Sequence, residues 1–191
     1  ETEKFFVDKN KLKILDIGCN DGTLLKFYSK KFIKYGIDPS NSFPPDGIKD
    51  INYIKDFFPS SKLKLKSKNL KFFLITSIAM FYDLEDPSNF VKNINNFLKD
   101  NGLWVFEVSY MPNMLKLNSF DTICHEHLEY YSLTVIKKIL LKNNMKLVRV
   151  ELNNSNGGSI RCVAANKECI KFDSKKNMYK INKLLENEKK L

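Results

Sequence analysis

The chain alternates short apolar runs with amphipathic stretches. Residues 12–17, 32–37, 51–54 and 70–76 are apolar runs of strand length, whereas Leu24, Leu25, Phe27 and Tyr28 within 22–31 share one helical face. A second helix is predicted around 60–68. Asp86-Pro87 opens a clearer one, because a proline in the first turn forfeits no hydrogen bond. Phe90, Val91, Ile94, Phe97 and Leu98 then recur at helical spacing until Asp100-Asn101-Gly102 ends the run. Residues 103–108 read as a fifth strand and 132–143 as an amphipathic helix with Leu133, Ile136, Ile139 and Leu140 inward. Strands follow near 146–152 and 159–165. This rhythm predicts an α/β fold with a mostly parallel seven-stranded sheet and helices on both faces. Its two last strands, unseparated by a helix, predict an antiparallel edge hairpin. Residues 1–166 are expected to form one domain, and the Lys-rich helical pattern in 167–191 the start of a further C-terminal region.

Composition narrows the function classes. With 191 residues, 43% hydrophobic and 28% charged, the chain suits one globular domain. Its longest apolar stretch, 72–75 and then 78–82, falls short of the ~20 residues that cross a bilayer. No basic, apolar, small-residue opening marks a signal peptide, and residue 1 is Glu, so we expect a cytoplasmic protein whose start is cut from a longer chain. Cys19, Cys124, Cys162 and Cys169 lie far apart without a C-x-x-C pair, which encodes neither a disulfide framework nor a zinc knuckle. The net charge of +10 raises the question of nucleic acid. Of 32 basic residues, however, only Arg149 and Arg161 are arginine, and Lys, Asn, Ile and Phe abound as in AT-rich coding sequence. Lys62, Lys64, Lys66 and Lys68 read as a solvated face. A nucleic-acid partner is therefore disfavoured.

Ile14-Leu15-Asp16-Ile17-Gly18-Cys19-Asn20-Asp21-Gly22 is a strand entering a Gly-bearing turn and a helix, an arrangement that lets a ligand approach the backbone. A dinucleotide site would prefer G-x-G-x-x-G. Here Asp16 and Asp21 would repel a pyrophosphate and suit a cationic ligand, such as the sulfonium and ammonium of S-adenosylmethionine. Asp38, in Gly36-Ile37-Asp38-Pro39-Ser40, ends the second strand 22 residues after Asp16, where a carboxylate can accept both ribose hydroxyls. The combination of Asp16, Gly18, Gly22 and Asp38 resembles the class I S-adenosylmethionine-dependent methyltransferases, over roughly residues 10–166. The resemblance implies a Rossmann-like fold and a cofactor site that includes Asn20, standing where many members carry glycine, and Pro39. It also places Asp56 near the adenine amine and Phe57 on the ring, although a core Phe pair at Phe57-Phe58 explains that run equally. Ser77-Ile78-Ala79-Met80-Phe81 follows the fourth strand and leaves Ser77 as a candidate for the cofactor wall. Methyltransferases of this fold that act on nucleobase amines carry Asn/Asp-Pro-Pro-aromatic there, so such an acceptor is disfavoured.

Both histidines fall in Cys124-His125-Glu126-His127-Leu128, after the fifth strand, at the sheet edge where open α/β folds hold their ligands. Three readings are open. His125 and His127 could bind a metal, though no third ligand is evident and the expectation is none. They could be hydrogen-bonded loop residues beside Tyr130 and Tyr131. Alternatively, an imidazole there could remove a proton from carbon next to a ketone, with Glu126 orienting it. That reading needs a turn, because full extension would face Glu126 away from His127.

Glu107-Val108-Ser109-Tyr110, the segment 119–128 and Asn156-Gly157-Gly158-Ser159-Ile160-Arg161 resemble the sugar C-methyltransferases that act on nucleotide-linked keto-deoxysugars. The resemblance implies His127 as general base with Glu126 as its partner and His125 beside them. It also implies a small-molecule acceptor. Two departures stand: Cys124 replaces a tyrosine usual before His-Glu-His-Leu, and the family's N-terminal zinc-binding and C-terminal domains do not appear in these residues. O-methylation of a small metabolite, and a non-catalytic module that retains the cofactor pocket, are the competing readings.

Overall fold

In the computed structural model, which describes residues 12–44, 46–66 and 70–191, the predicted apolar runs become one seven-stranded sheet. The strands are β1 (Lys13–Ile17), β2 (Ile33–Asp38), β3 (Ile51–Lys55), β4 (Phe72–Ile78), β5 (Leu98–Ser109), β6 (Met145–Asn153) and β7 (Ser159–Asn166). Their order is β3-β2-β1-β4-β5-β7-β6. The first five run parallel, and β7 lies antiparallel between β5 and β6, so the edge hairpin is present with its second strand innermost.

The helices are α1 (Thr23–Phe27), α2 (Ser61–Lys66), α3 (Pro87–Phe97), α4 (Met111–Leu117), α5 (Leu133–Lys142) and α6 (Lys175–Glu188). Asp86 caps α3 by accepting from the Asn89 amide at 2.9 Å, and Pro87 occupies the first turn as its sequence implies. Ser132 caps α5 in the same way at Val135. Helix α1 is shorter than expected because Tyr28 leaves it in an extended conformation and sets its ring edge-on to Phe32. Strand β5 begins earlier than expected, at Leu98. Phe72 pairs with Leu98 and the register then shifts before Leu74 meets Leu103, so 98–102 is absorbed as an irregular strand start instead of a turn. Helix α4 was not foreseen, since its apolar side chains Leu115 and Leu117 point outward and leave no amphipathic signal. Residues 67–69, at the end of the helix expected over 60–68, lie outside the described residues, as do the side chains of 64–66 and 156.

Helices α3, α5 and α6 cover one face of the sheet, over a core that includes Phe72, Ile75, Phe90, Trp104, Phe106, Ile136 and Ile181. Phe81 stacks on Tyr131 at 5.0 Å and Trp104 on Phe106 at 4.1 Å. Side chains of this size contribute about 1.5–3 kcal/mol each when fully buried. The opposite face buries Ile14, Leu25 of α1, Leu74, Leu103, Val148 and Ala165, with Cys169 and Phe172 packed alongside. Among the described residues no helix is long and apolar enough to cross a membrane.

Candidate active site

The turn after β1 is built from residues with positive φ: Gly18 at 70°, Asn20 at 50° and Gly22 at 77°. A Cβ on Gly22 would lie only 2.9 Å from Phe43 Cε2, so that glycine is required by space as well as by conformation, whereas one on Gly18 would lie 3.3 Å from the flexible Met80 Cγ and is excluded chiefly by its φ. Asn20 departs from glycine without breaking the turn, because asparagine is among the few side chains that tolerate this region. Its amide donates to Asp38 Oδ2 at 2.9 Å, and the Ser40 amide donates to Asp38 Oδ1 at 2.8 Å. Asp38 thus ties the β1 turn to the end of β2, and Pro39 lies exposed beside it. The Asp56 amide in turn donates to the Asp38 carbonyl at 3.2 Å. The Ser60 hydroxyl at 2.7 Å and the Phe57 amide at 2.9 Å hold the Asp56 carboxyl below the usual range. Phe57 is 74% exposed, which leaves its ring free for stacking.

Asp16 projects from β1 into a cavity of about 690 Å³ shared with Gly18, Asn20, Thr76, Ile78 and Val105. Burial pushes its carboxyl up to about 7, against the pull of the Thr76 hydroxyl at 2.6 Å and with help from the Asp38 charge. Ser77 is not part of this wall. One residue beyond Thr76 on a strand whose side chains alternate between faces, it is completely buried in the opposite core and accepts from Trp104 Nε1 at 2.9 Å. Burial also raises the Cys19 thiol to about 12, which keeps it an inert packing group.

The histidine segment lies at the same end of the sheet, in the excursion 111–132 between β5 and α5. The turn that acid/base chemistry needs is present: the His127 amide donates to the Cys124 carbonyl at 3.2 Å. The Tyr82 carbonyl then accepts from both Leu128 and Glu129 at 3.0 Å. His127 Nδ1 is 2.8 Å from the Thr122 carbonyl, so Nδ1 donates there, and in the neutral ring Nε2 is the acceptor. Its ring lies 4.3 Å from that of Tyr82. Glu126 is placed differently from the expectation: it pairs with His125 at 3.3 Å, and both are largely exposed. A turn with its two central residues in solvent brings those neighbours together and leaves His127 alone on the protein side. The carboxylate near His127 is Asp83, whose pKa is raised by burial and lowered in part by the His127 charge. The 78–83 segment joins both ends of the site, since Met80 packs on Gly18 while Tyr82 and Asp83 face His127.

Three groups were missed. Asp83 carries no sequence signal. Glu107, buried in β5, accepts from Asn153 at 2.9 Å and from Arg161 Nε at 2.8 Å; an acid inside an apolar strand was its signal. Glu188, at the end of α6, accepts from the Tyr110 hydroxyl and the Leu133 amide, each at 2.6 Å, and from the Thr134 amide at 2.9 Å. Burial works to raise its pKa, but these donors and the Thr134 hydroxyl hold it below the usual range. One carboxylate therefore clasps both ends of the 111–132 excursion.

Residues 2–150 match the profile of the methyltransferase domain family. The chain belongs to that family. Over 92 residues it is 33% identical to the C-methyltransferase NovU of Streptomyces niveus, a match that covers 48% of this chain and only 22% of that protein. The YcgJ protein of Bacillus subtilis has the same fold, with a TM-score of 0.64 at 13% identity over 87% of this chain and 97% of that one. So does the magnesium protoporphyrin IX methyltransferase ChlM of Synechocystis PCC 6803, with bound S-adenosylhomocysteine, at 0.60 and 14% over 82% and 74%. The fold is thus the Rossmann-like class I methyltransferase fold, and the domain is of the S-adenosylmethionine-dependent kind. The residues present fit that cofactor. Asp38 spends one lone pair on each oxygen and keeps the others for hydroxyl groups, Gly18 lines the cavity at the turn, and Asp16 offers a carboxyl to a cation.

Proposed function

We propose that this domain methylates a carbon next to the ketone of a nucleotide-linked keto-deoxysugar, with His127 as general base. The observation that carries the reading is the bond from His127 Nδ1 to the Thr122 carbonyl, which places the proton of the neutral ring on Nδ1 and leaves Nε2 as the basic nitrogen, at the sheet edge that also holds the glycine turn. The match to a protein named a C-methyltransferase supports carbon as the acceptor atom.

S-adenosylmethionine supplies an electrophilic methyl group on a positively charged sulfur. Asp38, Asp56 and Phe57 hold the nucleoside end, Asp16 faces the cationic end, and Met80 closes the turn between donor and acceptor. His127 Nε2 takes the proton from the acceptor carbon, and the C–H pair delocalises onto the ketone as an enolate. Bound S-adenosylmethionine would supply its methyl group to the enolate carbon, its sulfur keeping the electron pair of the former S–CH₃ bond. Asp83 stabilises the imidazolium until the proton passes to water. In this arrangement His125 and Glu126 are an exposed pair at the rim that orients the turn. Most of the acceleration then comes from positioning.

The test is product NMR with ¹³C-methyl-labelled S-adenosylmethionine and a nucleotide-linked keto-deoxysugar. Label on a carbon of the sugar ring supports the reading, and label on oxygen overturns it.

A further inference from the structure

Tyr53 stands on the edge strand β3, and its ring and its hydroxyl reach two different turns. Its register partner on β2 is Gly36, whose missing side chain leaves room on that face for the ring to lie along β2. The hydroxyl, a single donor, is shared between two carbonyls at the carboxyl end of β2: Asp38 at 3.0 Å and Ser40 at 3.2 Å. Burial, helped by the Asp38 charge, pushes this hydroxyl above its usual range, so it keeps the proton that it donates. The ring stacks on Phe43 at 4.0 Å with the planes 3° apart. Phe43, only 6% exposed, is in turn the side chain that a Cβ on Gly22 would strike.

One side chain thus braces both turns that hold the Asp38 carboxylate. Through its hydroxyl, Tyr53 closes the turn after β2, whose Ser40 amide donates to Asp38 Oδ1; through Phe43 it backs the turn after β1, whose Asn20 amide donates to Asp38 Oδ2. Lys55, also on β3, secures the first of these with a bond from its Nζ to Asn41 Oδ1. The two amides set the plane of the carboxylate, and they hold it only while the two turns keep their spacing. A pair of vicinal hydroxyls is met by both oxygens of one carboxylate at once, so that plane matters as much as the charge. The hydroxyl of Tyr53 is separable from the fold. Without it the Asp38 carbonyl still accepts from the Asp56 amide at 3.2 Å, and the Ser40 carbonyl belongs to an exposed residue that water reaches.

We propose that Tyr53 is a positioning residue for the cofactor: bonded to the carbonyls of Asp38 and Ser40 and stacked on Phe43, it fixes the plane in which Asp38 receives the ribose hydroxyls. It acts through Asp38 and touches no reacting atom. The inference rests on the reading of Asp38 as the ribose acceptor and not on the identity of the group that is methylated.

The test is calorimetry on the whole chain with S-adenosylhomocysteine and its 2′,3′-dideoxy analogue. The variant Tyr53→Phe keeps the ring and the Phe43 stack and removes only the hydroxyl; a thermal melt verifies that it is folded. S-adenosylhomocysteine affinity is expected to fall about fivefold in Tyr53→Phe, while affinity for the analogue, which brings no ribose hydroxyls to Asp38, stays within about twofold of the wild type. In an Asp38→Ala background, Tyr53→Phe is expected to change S-adenosylhomocysteine affinity less than about twofold, because a residue that acts through Asp38 has nothing left to position. Equal losses for both ligands, or the same loss with and without Asp38, make Tyr53 a general support of the cavity and overturn the proposal. Unchanged affinity for S-adenosylhomocysteine overturns it too, as does a variant that melts too low to bind either ligand. Equal affinity of the wild type for the two ligands is a distinct failure: it removes the ribose reading of Asp38, and the proposal with it, whatever Tyr53→Phe does.

Discussion

The two ends of the site are held in different ways. At the cofactor end, Asp16, Gly18, Asn20 and Asp38 sit at or directly beyond strand ends, and main-chain bonds from neighbouring residues fix the Asp38 carboxylate. At the acceptor end, His127 lies in an excursion of short helix, 3₁₀ turn and loop that leaves Phe120 80% and Ile123 66% exposed. That segment is secured at a few points: the Tyr82 carbonyl, the Tyr110–Tyr131 bridge at its base and the Glu188 clasp. On the proposed reading, the cofactor is met by the rigid sheet and the acceptor by a segment the sheet only anchors.

The sharpest way to separate the two ends is His127→Ala. Methyl transfer should fall by about 10²–10⁴ while S-adenosylhomocysteine affinity stays within about twofold, measured by steady-state kinetics and calorimetry. Asp38→Ala breaks the comparison from the other side. It removes the bond that seats the Asn20 turn together with the ribose acceptor, so S-adenosylhomocysteine affinity should drop about a hundredfold in the same titration.

Glu188→Ala acts on the anchor of the excursion. Loss of its bonds to Tyr110, Leu133 and Thr134 should destabilise the fold by about 2 kcal/mol in a thermal melt and speed amide exchange across 111–132, with cofactor affinity unchanged. Because the folded-state pKa of Glu188 is lowered, this stabilisation is present above the ordinary carboxylate pKa of 4.5 and is lost as pH falls through the lowered value.

Asp16 gives the opposite sign, and its effect on cofactor affinity is the smallest of these. With a pKa of about 7 against an ordinary 3.8, its folded form holds a proton that the unfolded chain releases, so it lowers stability progressively as pH rises from 3.8 to about 7. Cationic S-adenosylmethionine should gain up to about tenfold in affinity relative to neutral-sulfur S-adenosylhomocysteine as pH passes through about 7, and Asp16→Asn should flatten that rise.

The difference between the two ends also explains what the sequence disclosed. The Asp16 to Gly22 turn and Asp38 were legible because strand, turn and helix follow one another along the chain. Helix α3 was legible from its cap and its spacing. Ser77 was misplaced because β4 is apolar on both faces, so nothing in its sequence tells which side Thr76 or Ser77 takes. The pairing of Glu126 with His125 depends on a turn closed by the His127 amide on the Cys124 carbonyl and held by the Tyr82 and Thr122 carbonyls. Glu107 with Arg161, and Glu188 with Leu133, join residues 54 and 55 positions apart, beyond any local pattern.

The most direct test of His127 as the base is proton NMR of a nucleotide-linked keto-deoxysugar in D₂O with the chain and S-adenosylhomocysteine, where no methyl group can transfer. The account predicts that the proton next to the ketone washes out with the wild type and persists with His127→Ala. Equal rates of exchange with both proteins, or no exchange with a wild type that still methylates the sugar, would contradict it.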